Sequence, residues 1–161
     1  MHTLLETIQE EITQWRKNKY LGAYAESQNI LMHIQKMNFL RPPQKEAFET
    51  YVFLKEIKNN KSVPRLVEVL KQQNPVHTTP ELKPTDYGYA NYLFALAMGA
   101  GKTILIATLV LYEFVIAHHH PQDKKFARNA LILGPADTAI VHVLKEIRAF
   151  HNQNYRKIIP E

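Results

Sequence analysis

The 161-residue chain contains no cysteine, five glycines and one tryptophan. Without cysteine there is no disulfide staple and no thiolate metal site, and a reducing compartment fits such a composition. Ser27 and Ser62 are its serines, and neither sits in the glycine pattern of a nucleophile elbow, which argues against hydrolase chemistry of that type. No charge block is present: 20 Lys and Arg against 15 Asp and Glu give a net charge of +5, divided almost evenly between the two halves. A basic nucleic-acid tail is thereby excluded. The first residues carry acidic Glu6 and Glu10 and no apolar core of a signal peptide. The longest apolar stretch, Ile104 to Ala117, falls short of the ~20 residues needed to cross a bilayer. A soluble, cytoplasmic protein with no membrane partner is expected.

What is present is a globular composition, 45% hydrophobic and 22% charged, sufficient to bury a core. Leu4, Leu5, Ile8, Ile12 and Trp15 recur at helical spacing behind a Thr3-x-x-Glu6 capping box, predicting a helix over 4–18. Ile30, Ile34 and Met37 predict another over 25–37. Pro43 and Pro64 each suit a first helical turn, where a missing N–H goes unpaired in any case, and helices are expected from there to about Lys58 and Gln72. Pro75, Pro80 and Pro84 mark residues 73–88 as a linker or surface loop.

From Tyr89 the pattern changes. The run Tyr89 to Met98 has the length and apolarity of a strand buried on both faces, as in parallel sheets. A glycine turn, an apolar helix over 103–117, a second apolar run Ala130 to Gly134 and a helix over 138–150 follow, with Tyr155 to Ile159 read as the start of a further strand. Strand, helix, strand, helix is α/β order. His118, His119 and His120 are read as a solvated loop and given no metal role, because three adjacent side chains cannot readily converge on one ion.

The segment that carries chemistry is Met98-Gly99-Ala100-Gly101-Lys102-Thr103, placed between expected strand and expected helix. Glycines let the backbone curl around an anion, the helix start supplies N–H groups, a lysine neutralises phosphate and a hydroxyl can hold magnesium. Gly99, Ala100, Gly101, Lys102 and Thr103 provide these parts in order. Leu96 stands where the full G-x-x-x-x-G-K-[ST] pattern has its first glycine.

These residues resemble the first motif of superfamily 2 DEAD/DEAH-box-type helicases and translocases, above all the ATP-dependent subunits of type III and type I restriction systems. The stretch Phe39-Leu40-Arg41-Pro42-Pro43-Gln44 is similar to the family's L-R-x-x-Q element, and Ala130-Leu131-Ile132-Leu133-Gly134-Pro135 to the strand and turn of its next motif. The resemblance implies ATP and Mg2+ as cofactors, Lys102 as the catalytic lysine on the β and γ phosphates, Thr103 on magnesium, and Gln44 reading adenine. It further implies Pro135, Asp137 and Thr138 on the phosphate chain of a nucleic acid, with DNA favoured, and modification or specificity subunits of a restriction system as partners. Asp137 equally suits a helix N-cap.

The fold this implies is a partial RecA-like P-loop NTPase domain, α/β with an incomplete parallel sheet, over 39–161, preceded by a helical segment over 1–38 and carrying a helical insertion at 49–88. No D-E-x-H or D-E-x-D segment occurs. The chain therefore reads as the ATP-binding amino-terminal part of a longer helicase, inactive in hydrolysis by itself. The alternatives are a non-catalytic nucleotide- or partner-binding module and another P-loop phosphotransferase such as a small kinase.

Overall fold

The computed structural model describes residues 4–73, 90–133, 141, 144–145, 148 and 155–160. The described elements are all helical: α1 (Leu4–Lys17), α2 (Ala25–Lys36), α3 (Pro42–Val52) running into a π-helical turn (Phe53–Ile57), α4 (Val63–Gln73), α5 (Lys102–His119) and a 3₁₀ turn (Tyr155–Lys157). The first four helices lie within a residue or two of their expected positions, because amphipathic spacing and proline starts are local signals.

By contacts the chain divides into two units, one of residues 1–23 and 49–94, the other of residues 24–48 and 95–161. In the first, α1 buries Ile8, Ile12 and Trp15. The Trp15 ring meets Tyr20 edge-on at 4.9 Å and Phe53 at 5.3 Å. Its indole N–H donates to the Leu21 carbonyl at 3.0 Å, so the large ring is buried with its polar atom satisfied. Glu49, also buried, accepts from Arg16 Nε at 2.8 Å, from Arg16 Nη2 and from the Tyr20 hydroxyl at 2.6 Å. Asn59 and Asn60, both in the left-handed region, end the π turn.

In the second unit, α2 packs on α5. Ile30, Leu31 and Ile34 from α2 and Leu105, Tyr112 and Ile116 from α5 are buried, with Phe48 set edge-on to Tyr112 at 5.5 Å. Glu113 is buried too and accepts the Ala127 N–H at 2.8 Å, which holds the chain leaving α5. At 18 residues α5 is longer than its apolar stretch suggested, and among the described residues it alone has the length and composition to cross a membrane.

The α/β expectation fails. Among the described residues there is no strand and no sheet, so the fold is not a RecA-like α/β domain. Residues 90–97 are irregular, and their even and odd positions alternate between half-buried and exposed. Tyr92 and Phe94 rest on the Tyr51 ring, with the Tyr92 hydroxyl on Asn60 Oδ1 at 2.7 Å. Leu93 is 94% exposed. In the second expected strand Leu131 and Leu133 are 84% and 82% exposed. A sheet needs neighbouring strands to pair its N–H and C=O groups, and an apolar run supplies none of itself. Tyr155 to Lys157 form a 3₁₀ turn in place of a third strand, with Ile158 buried behind it.

The expected linker over 73–88 lies, apart from Gln73, outside the described residues, as does Thr3 of the capping box. Of the expected helix over 138–150, the described positions 141, 144, 145 and 148 are helical.

Candidate phosphate-binding loop

The loop is built by two glycines in the left-handed region. Ala100 N–H donates to the Ala97 carbonyl at 3.2 Å, closing a turn whose third residue, Gly99, has φ +74°. That angle at that position is the requirement of a type II turn. Gly101 follows at φ +80° as the N-cap of α5, and its carbonyl receives the Leu105 N–H at 3.2 Å. A helix that begins at Lys102 leaves the N–H groups of Lys102, Thr103 and Ile104 without acceptors inside the helix, at the positive end of its dipole. Lys102 and Thr103 thus stand in the first turn, Lys102 exposed and Thr103 half-buried. Lys102 Nζ donates back to the Ala97 carbonyl at 2.9 Å.

The start of α3 is joined to this loop. Arg41 precedes the helix, and its carbonyl accepts the N–H groups of Gln44 and Lys45 at 2.9 and 3.0 Å. Gln44, at the third helical position, returns its Oε1 to the Arg41 N–H at 2.7 Å, the reciprocal half of a capping box. Its Nε2 donates to the Gly101 carbonyl at 2.8 Å, and Arg41 Nη1 donates to the Gly99 carbonyl at 2.6 Å. The structure therefore brings Gln44, Gly99, Ala100, Gly101, Lys102 and Thr103 to one place. It adds Arg41, whose contact with the loop sequence reasoning missed. The Arg41–Gln44 spacing at the start of a proline-led helix is a capping pattern, but it carries no signal of a contact 58 positions away. Pro135, Asp137 and Thr138 lie outside the described residues.

A second polar cluster occupies the far end of α5, about 27 Å away along an 18-residue helix. The histidines expected in a solvated loop instead finish this helix. His120 Nε2 meets Glu26 Oε2 at 2.9 Å, and His119 Nδ1 lies 3.6 Å from Glu26 Oε1. The hydrogen bond to His120 outweighs burial and holds the Glu26 carboxyl below its ordinary value. The Tyr24 ring stacks on His120 at 3.8 Å, and its hydroxyl donates to Asp123 Oδ2 at 2.8 Å. Burial pushes Asp123 up, but the Lys125 N–H and the Tyr24 hydroxyl prevail and its carboxyl is also lowered. This cluster fastens the start of α2 to the turn after α5.

Compared with family models, curated proteins and solved structures, the chain matches none.

Proposed function

We propose that the chain binds ATP with Mg2+ at Gly99 to Thr103, as the nucleotide-holding part of a cytoplasmic DNA helicase or translocase of the restriction-system type. The observation that carries this reading is the loop: two left-handed glycines set the start of an 18-residue helix whose first turn holds Lys102 and Thr103. These residues fit the nucleotide's chemistry. The Lys102 ammonium suits the β and γ phosphates, the Thr103 hydroxyl suits the magnesium ion, and the first-turn N–H groups suit a phosphate oxygen. An anion at that end of α5 is stabilised by the helix dipole and by two cations, Lys102 and Arg41, that already bond the loop's carbonyls.

The helicase assignment rests on the L-R-x-x-Q and G-x-G-K-T segments and their order along the chain. Hydrolysis is not assigned to these residues, since no acidic segment of the D-E-x-H kind accompanies the loop. Binding without turnover is the activity proposed for this chain. Titration with a fluorescent ATP analogue tests it. Lys102→Ala should weaken binding by more than about tenfold, or ~1.4 kcal/mol, and unchanged affinity would remove the proposal.

A further inference from the structure

We propose that Gln44 is a positioning residue of the glycine loop, acting on the phosphate end of a bound nucleotide and not on its base. The ligand-binding half of this inference rests on the reading of Gly99 to Thr103 as a phosphate site.

The amide orientation of Gln44 is settled by its partners. The Arg41 N–H is a donor and must face Oε1, while the Gly101 carbonyl is an acceptor and must face Nε2. Reading adenine calls for one donor and one acceptor of the same amide, aimed outward together. Here one of each is already committed within the protein, and Gln44 is only 1% exposed. An adenine edge cannot reach the amide while these bonds hold.

The same bonds have a consequence for the loop. In a trans peptide the C=O and the following N–H point in opposite directions. No cis peptide occurs among the described residues. Gln44 draws the Gly101 carbonyl toward α3, so the Lys102 N–H of that peptide is aimed away from α3. Arg41 draws the Gly99 carbonyl likewise, and its paired Ala100 N–H is turned onto the Ala97 carbonyl. Two side chains from one helix start thus set two peptide planes of the loop, and the Lys102 N–H is the donor that Gln44 presents. Gly101 suits this close approach because a Cβ there would collide with Gln44 Nε2.

The test compares ATP, GTP and inorganic tripolyphosphate on the wild-type chain, Gln44→Ala and Gln44→Glu. The glutamate variant keeps an acceptor for the Arg41 N–H and loses the donor for the Gly101 carbonyl. Both variants should weaken all three ligands by the same factor, roughly three- to tenfold for one hydrogen bond. A loss for ATP that exceeds the losses for GTP and tripolyphosphate would overturn the proposal. Amide hydrogen exchange supplies the readout that needs no ligand. Exchange at Leu105, whose N–H is held by the Gly101 carbonyl, should accelerate in both variants while the middle of α5 stays protected. Unchanged exchange there would overturn the clamp. A wild-type chain that binds none of the three ligands would overturn the phosphate reading, and the exchange result would still decide the role of Gln44.

Discussion

Gln44 Nε2 donates to the Gly101 carbonyl at 2.8 Å and stands where a side chain on Gly101 would begin. Gly99, two residues earlier, shares the left-handed backbone with φ +74° but has nothing within 4 Å of its missing Cβ. The two glycines are therefore required for different reasons. Gly99→Ala should cost about 1–2 kcal/mol, the price of the backbone conformation alone. Gly101→Ala should cost more, because Gln44 must also leave its buried position. In a double-mutant cycle, Gln44→Ala should recover part of the Gly101→Ala loss and none of the Gly99→Ala loss. Denaturant unfolding of the three single and two double variants measures this, and equal coupling at both glycines would contradict the close approach.

A separate prediction concerns Glu49, buried between Arg16 and the Tyr20 hydroxyl. The Glu49 hydrogen bond raises the Arg16 guanidinium above its already high ordinary value. Tyr20 is itself held at φ +61°, a strained angle for an aromatic residue, and its bond to Glu49 helps to keep it there. Glu49→Ala should destabilise the protein by roughly 2–3 kcal/mol, because it removes the hydrogen bonds to a charged group and leaves the buried Tyr20 hydroxyl without this acceptor, while the half-exposed Arg16 can turn to water. Tyr20→Phe should cost about 1.5 kcal/mol, the lower range for a hydrogen bond to a charged group. Thermal and denaturant unfolding report both. A Tyr20→Phe loss equal to that of Glu49→Ala would mean that the arginine bonds contribute nothing.

The helices were legible because their causes are local. Trp15 and Ile12 share a stripe, Pro43 and Pro64 open helices, and Gly101 precedes a long apolar run. The sheet was misread because its cause is not local. The run Tyr89 to Met98 has the composition of a strand buried on two faces, yet the described residues from Ala90 onward place only alternate side chains, Tyr92 and Phe94, against a helix. A 10-residue apolar segment states that it is suited to a strand, not that a partner strand is present. The loop was legible as a glycine motif. Its tie to Arg41 and Gln44 was visible only as two separate patterns, 55 positions apart, whose contact depends on tertiary packing.

Leu93 provides a direct test of that correction. It is 94% exposed, so Leu93→Asp should change stability by no more than about 0.5 kcal/mol, as for a surface substitution. Tyr92→Ala, which removes the ring from Tyr51 and the hydroxyl from Asn60, should cost more than that. In a strand covered on both faces the leucine would be the costly site, with a loss of about 2–5 kcal/mol for truncation alone. Urea midpoints of the two variants decide the order, and a larger loss at Leu93 would restore the buried strand.

The pH dependence of stability should be carried in part by Glu26. Its hydrogen bond from His120 lowers its carboxyl below the ordinary 4.5, against the opposing effect of burial, and the charges of His120 and His119 act in the same downward direction. Beside it, Tyr24, the residue before α2, stacks on His120 and donates to Asp123 in the turn after α5, whose carboxyl is also lowered. A carboxyl lowered in the folded state binds its proton less readily than in the unfolded chain. Its contribution is therefore complete above the ordinary value and disappears as pH falls through the lowered one. Unfolding midpoints measured from neutral pH down to about pH 3 should drop at the acid end, and Glu26→Gln should reduce the slope there without abolishing it, because Asp123 contributes in the same window. Near neutrality the variant should be less stable than the wild type, and the two curves should converge in acid. Parallel curves across the whole range would show that the His120 bond does not favour the charged form of Glu26.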